Sequence, residues 1–152
     1  GDLLDNLERG YIIHGCNAQG AMGGGFASAI RAKWPLVYKV YRDKYDQDGE
    51  LTVGTNIPVQ VTPEIVVINA ITQRYYRNHP KSTNSREIFV DYVGVAACFD
   101  DIARIRREYP TIASDLHFPM IGAGLANGDW GVIQKLIDKN ASNVNKHLWV
   151  LE

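Results

Sequence analysis

The sequence predicts an α/β fold in which helices cover both faces of a mixed, mostly parallel sheet, a three-layer α/β/α sandwich. Three observations predict it. Short β-rich runs alternate with segments of helical periodicity along the whole chain. The run Ile65-Val66-Val67-Ile68-Asn69-Ala70-Ile71 is almost continuously apolar and β-branched, as a strand covered on both faces requires. Glycine-rich stretches follow two of the strand-like runs, where α/β folds carry their binding loops.

Each element follows from local chemistry. Residues 11–14 form the first β-rich run, which Gly15 is expected to end. From Gly24 the spacing turns helical, with Phe26, Ile30 and Trp34 four apart, and Pro35 closes that helix while allowing another to start. The second helix, over 36–45, carries Val37, Val40, Tyr41 and Tyr45 on one side. Asp48-Gly49 is a turn signal, and residues 54–61 read as a strand that Pro58 confines to an edge. The 65–71 run is then central. A polar loop at 74–86, with the cluster Arg77-Asn78-His79-Pro80-Lys81-Ser82, is long enough to be either mobile or functional. Residues 88–109 predict one long helix, with Val93, Ala97, Ile102 and Ile105 at helical spacing and a charged run at 104–108 on its wet face. A buried strand over 115–120, a glycine-rich loop over 121–128, a helix over 130–139 and a last strand over 147–151 complete the chain.

A chain of 152 residues fits one domain, spanning 1–152, with a core that needs no disulfide or metal staple. At 45% hydrophobic and 22% charged residues, the composition indicates neither disorder nor a coiled coil. The 16 basic and 17 acidic residues leave no electrostatic footprint for sequence-independent nucleic-acid binding, which points to a small or single-ended ligand. Cys16 and Cys98 have no C-x-x-C spacing and are too few for a disulfide framework, so a reducing compartment, the cytoplasm, is expected. No apolar run approaches the roughly 20 residues of a membrane span and no leader stands at the front, so no membrane association is expected. The chain opens at Gly1-Asp2-Leu3-Leu4 without Met, which is compatible with a segment preceding it.

Two glycine-rich loops stand in equivalent places, each leaving a strand and entering a helix: 15–25 and 122–128. Glycines let backbone N–H groups approach a ligand closely, and a helix start adds partial positive charge, so each loop suits an oxyanion and the pair suits a diphosphate. A tight strand-to-helix turn alone would also use glycines. No G-x-x-x-x-G-K-[ST] is present, and Gly122-Ala123-Gly124-Leu125-Ala126-Asn127-Gly128 is one residue too long for G-x-G-x-x-G, which argues against a P-loop and a dinucleotide dehydrogenase. No His/Cys/Asp/Glu set has metal spacing, and neither metal nor cofactor is expected. His14, at a strand's carboxyl end beside a phosphate loop, can act as base or nucleophile near neutral pH or simply be a core histidine. His79, His117 and His147 read as structural.

Several of these residues resemble the macro domain family: Gly1-Asp2-Leu3-Leu4, the strand running into His14-Gly15-Cys16-Asn17, the helix entry Gly23-Gly24-Gly25, and Pro119-Met120-Ile121-Gly122-Ala123-Gly124-Leu125 ahead of Asp129-Trp130. The resemblance covers essentially the whole chain, and its HGCN form is similar to the branch of the yeast-type ADP-ribose 1″-phosphate phosphatase. It implies a macro fold whose first strand lies ahead of Gly1. It implies ADP-ribose or ADP-ribose 1″-phosphate as ligand, with ADP-ribosylated protein as a further partner. Asp2 would accept from the adenine amino group, with the Leu3 backbone beside it. Asn17 would face the distal ribose, Phe26 would pack beneath the ribose, and Cys16 would be among the ligand-binding residues. Gly23, Gly24 and Gly25 with Ile121, Gly122, Ala123, Gly124 and Leu125 would wrap the diphosphate. His14 and Asp129 would be the catalytic pair. Bland alternatives stand beside these: Asp2 as an exposed turn residue, Asn17 as a turn former, Phe26 as core, Asp129 as a helix cap. Related hydrolases that remove ADP-ribose from glutamate or DNA use a lysine after the central strand, where this chain has Ile71-Thr72-Gln73-Arg74, and Gln73 cannot form a Schiff base. The expected reaction is hydrolysis of the terminal phosphate of ADP-ribose 1″-phosphate. The alternatives are a non-catalytic ADP-ribose reader and a hydrolase of ADP-ribosyl or O-acetyl-ADP-ribose esters.

Overall fold

The computed structural model describes residues 3–82, 87–123, 126–141 and 143–149, apart from the side chain of Leu3. In chain order the elements are α1 (Leu3–Asn6), β1 (Gly10–Asn17), α2 (Gly25–Lys33), α3 (Pro35–Asp48), β2 (Asn56–Thr62), β3 (Ile65–Gln73), α4 (Tyr92–Asp100), α5 (Ile102–Glu108), β4 (Asp115–Phe118), α6 (Trp130–Asn140) and β5 (Asn145–Leu148). The sheet runs β2-β3-β1-β4-β5. β1 is parallel to β3 and β4, β4 is parallel to β5, and β2 alone pairs antiparallel, at the edge where its Pro58 is tolerated.

Alternation along β1 and β3 sends side chains to two cores. Ile12, Cys16, Val67 and Ile71 pack under α2 and α3 with Ile30, Val37 and Tyr41. Tyr11, Ile13, Val66, Ile68 and Ala70 meet Val95, Phe99, Ile105, Ile133 and Ile137 of the opposite layer. Each fully buried isoleucine stabilises the fold by roughly 1.5–3 kcal/mol relative to leaving it in water, which is why the β3 run tolerates so little polarity.

Several boundaries differ from the sequence expectation. Strand β1 continues past His14, because Gly15, Cys16 and Asn17 keep pairing with β3, with a register shift between Cys16 and Asn17. Gly15 permits this: a Cβ there would lie 2.7 Å from Thr72 Oγ1 and 3.2 Å from Ile121 Cγ2. Strand β4 stops at Phe118, since Pro119 has no N–H to give. The expected long helix at 88–109 is two helices. Its front end is pulled into the sheet region, with Phe89 N bonding Ala126 O and Asp91 N bonding Thr72 O. Asp91 then caps α4 through Gly94 N, and Asp101 separates α4 from α5, its carboxylate held by Asn56 and Arg104.

The chain leaves β1 toward β2 and β3 on one side, while β4 lies on the other, so the sheet's topological switch point falls between the carboxyl ends of β1 and β4. Ligand crevices of open α/β sheets open at such points. Both glycine loops start there. Among the described residues, no helix is long and apolar enough to cross a membrane.

Candidate functional site

The first loop is built around Asn17. Its Oδ1 accepts from Gln19 N at 2.9 Å and lies 3.0 Å from the Tyr41 hydroxyl, while its Nδ2 donates to Ala21 O at 2.7 Å. The Tyr41 hydroxyl also lies 2.6 Å from Asn17 O. The amide is thereby spent on shaping the loop and is buried, the turn-forming role that a ribose contact would have to share. Gly23, Gly24 and Gly25 follow, all exposed. Gly24 caps α2 with no side-chain hydrogen bond, so the first-turn N–H groups are unclaimed by a cap side chain. Gly25 has φ 61°, a conformation that glycine supplies cheaply.

His14 lies one layer below. Its ring is 1% exposed, with Phe26 edge-on at a centroid distance of 6.1 Å. Nε2 lies 2.6 Å from Asn69 Oδ1, and Asn69 Nδ2 donates to Val37 O at 3.4 Å, so Nε2 carries the proton of a neutral imidazole. Burial pushes the histidine pKa down to about 4, with the Asn69 hydrogen bond working the other way. Cys16 Sγ sits 3.6 Å from Nε2, and burial raises its thiol pKa, so it is a protonated, inert neighbour. As folded, the His14 ring is closed off from solvent, with Phe26 edge-on to it.

The second loop faces the first across the switch point. Ile121 is buried, and Gly122, at φ 75°, accepts at its carbonyl from Gly128 N at 2.6 Å, closing the loop on itself. Ala123 is half-buried at its rim. Asp129 is exposed and caps α6, its Oδ1 accepting from Gly131 N at 2.8 Å and Val132 N at 3.4 Å, while its own N–H donates to the Tyr92 hydroxyl. Its capping role is thus realised, and among the described residues no hydrogen bond links it to His14. Asp2, Gly124, Leu125 and the Leu3 side chain lie outside the described residues.

The sequence did not single out Asn69, which is fully buried opposite His14 and signalled only by being the one polar residue in the β3 run. The loop after β3, whose length marks it as either mobile or functional, runs between the two glycine loops. It is tied to the first loop by Ala18 N to Gln73 O and by Gln19 Nε2 to Arg74 O, and to the second by Arg77 Nη2 to Asn127 Oδ1 at 2.9 Å. Among the described residues, no group of three or more His, Cys, Asp or Glu is arranged to hold a metal ion.

This fold recurs in solved structures. A macrodomain protein from Streptomyces coelicolor superposes with a TM-score of 0.72 over 97% of this chain and 91% of its own, at 24% identity. The chain has the macro domain fold. A protein of unknown function from Bacteroides thetaiotaomicron shares this macro fold at TM-score 0.83 and 27% identity, over 99% of this chain and 94% of that one. DarTG of Thermosipho africanus, solved in complex with ADP-ribose, matches 99% of this macro domain and 40% of its own chain at TM-score 0.76 and 17% identity. In sequence, an ADP-ribose 1″-phosphate phosphatase of Aspergillus oryzae is 38% identical over 63 residues, 40% of this chain and 31% of that protein. The chain therefore matches less than a third of that relative's length. A phosphatase of the same name from Candida glabrata is 24% identical over 94% of this chain and 90% of its own. No family model matches the chain.

Proposed function

We propose that this macro domain binds ADP-ribose 1″-phosphate between its two glycine loops and hydrolyses the terminal phosphate, giving ADP-ribose and inorganic phosphate. The observation that carries the reading is the pair of glycine-rich strand-to-helix loops facing each other at the β1/β4 switch point. The relatives named for this phosphatase activity and the ADP-ribose held by the DarTG structure support it. The N–H groups at the start of α2, with Gly23, Gly24 and Gly25, take one side of the diphosphate, and Ile121, Gly122 and Ala123 take the other. Asp2 and Leu3 receive the adenine, as the family resemblance implies.

In the hydrolytic step a water oxygen bonds to phosphorus as the phosphorus–ribose oxygen bond breaks, and the proton the water gives up passes by way of Asp129 to the departing ribose oxygen. Positioning and charge stabilisation dominate such transfers. Asp129, exposed at the loop exit, can accept the water's proton once its carboxylate is released from Gly131 N. His14 is neutral at pH 7 and reaches the phosphoryl group only when Phe26 turns aside.

A second reading, an ADP-ribose reader without turnover, is favoured by one observation: His14 is sealed, with Nε2 committed to Asn69. Incubation with ADP-ribose 1″-phosphate, with product identification, separates the two. Release of phosphate supports the enzyme. Tight binding of ADP-ribose with the phosphate ester left intact supports the reader.

A further inference from the structure

We propose that Arg77 is the cation that recognises the ester phosphate, an oxyanion-specificity residue supplied by the loop after β3. The inference rests on the reading that the crevice takes ADP-ribose 1″-phosphate, and it adds a residue outside both glycine loops.

Three observations lead to it. The 73–79 loop lies between the two glycine loops, anchored to the first through Ala18 and Gln19 and to the second through Arg77 and Asn127. Its backbone is braced on the way, by Arg74 paired with Glu50 at 2.7 Å and by Tyr75 stacked on His79 at a centroid distance of 4.7 Å. Arg77 is therefore delivered by an ordered scaffold. Second, its guanidinium leans on the second glycine loop through one neutral acceptor, Asn127 Oδ1, and among the described residues no carboxylate pairs with it. The arginines at 42, 74 and 104, by contrast, each hold a carboxylate. Third, Arg77 Nε is buried from water with no hydrogen-bond partner.

A buried, unsatisfied N–H on a charged group is costly, and such groups as a rule find an acceptor. The missing partner is a hydrogen-bond acceptor, and a guanidinium without a carboxylate favours an anionic oxygen. A phosphate monoester supplies oxygens and charge together, in the fork geometry arginine matches best. The tether to Asn127 is a single hydrogen bond, and engaging an oxyanion exchanges that bond and uncovers Nε. ADP-ribose itself lacks the terminal phosphate and gains nothing from Arg77. The residue thus separates the phosphorylated ligand from the product, which the enzyme has to release.

The test compares wild type with Arg77→Gln and Arg77→Lys for two quantities: ADP-ribose affinity by calorimetry, and KM for phosphate release from ADP-ribose 1″-phosphate, or Kd for that ligand if none is turned over. Losing a charged hydrogen bond predicts a rise of about tenfold or more in the second quantity for Arg77→Gln, partly rescued by Arg77→Lys. ADP-ribose affinity stays within about twofold, which also reports that the crevice remains folded. Equal weakening of both ligands, or no change in either, overturns the role of Arg77 while leaving the parent reading intact. Wild-type protein that binds neither nucleotide overturns both.

Discussion

His14 Nε2 lies 2.6 Å from Asn69 Oδ1, joining β1 to β3 directly beneath α3. Asn69 continues to Val37 O, so a short polar chain crosses a layer otherwise filled by Ile12, Val67, Ile71 and Ile30. Satisfied in this way, buried polar groups fix a unique packing; broken, they are expensive.

The pair makes stability depend on pH. Unfolded His14 takes up a proton near its ordinary value of 6.5, whereas the buried ring does so only near 4. The unfolded state therefore binds more protons between these values, and stability falls as pH drops through that window, by about 3 kcal/mol at most, with no contribution above it. Denaturant titrations from pH 7.5 to 4.5 should show this slope in wild type and a reduced one in His14→Gln. His117, also held below its ordinary pKa chiefly by burial, leaves a residue of slope in the variant. Identical slopes would refute the assignment.

Asn69→Leu strips the acceptor from a buried ring N–H. The cost should be about 1–3 kcal/mol in unfolding free energy, measured by urea denaturation at pH 7. A neutral outcome would mean that the ring finds another acceptor.

The glycines of the first loop separate a binding site from a mere turn. A Cβ on Gly23 meets nothing within 4 Å, so Gly23→Ala should leave stability within about 0.5 kcal/mol while weakening ADP-ribose binding, because the ligand needs the bare backbone. Gly122→Ala differs: its φ is 75° and its Cβ would lie 2.6 Å from Val90 Cγ2, so thermal unfolding should register a loss of about 1–3 kcal/mol. Unchanged ligand affinity in Gly23→Ala would favour the plain turn.

Asp129 can be tested as cap and as acid–base group separately. Asn is as good a cap as Asp, so Asp129→Asn should keep stability within about 0.5 kcal/mol, whereas Asp129→Ala should lose about 1 kcal/mol. If the carboxylate takes part in hydrolysis, phosphate release falls in both variants alike. Activity that follows stability instead assigns Asp129 to capping alone.

How far the sequence carried depended on whether a feature is local. The apolar run in β3 and the proline in β2 announced a central and an edge strand, because burial on two faces and a missing N–H leave direct marks on composition. The Phe26-Ile30-Trp34 spacing gave α2 to within a residue. The division of the 88–109 segment escaped, since helical spacing runs through Asp101, whose carboxylate is held where the helices part by Arg104 and by Asn56, the latter far away in sequence. Within the site, the glycines were legible as glycines. The burial of His14 was not, because it depends on Phe26 and α3 folding over it, and no local pattern separates a strand-end histidine in water from one under a helix. The link from Arg77 to Asn127 spans fifty residues and is visible only in three dimensions.

One measurement bears on the central claim most directly: incubating the purified protein with ADP-ribose 1″-phosphate and following inorganic phosphate and ADP-ribose together. The account predicts equimolar release of both, slowed by Gly23→Ala and by Asp129→Asn. Saturable binding of the substrate with no phosphate released, or release unaffected by either substitution, would contradict it.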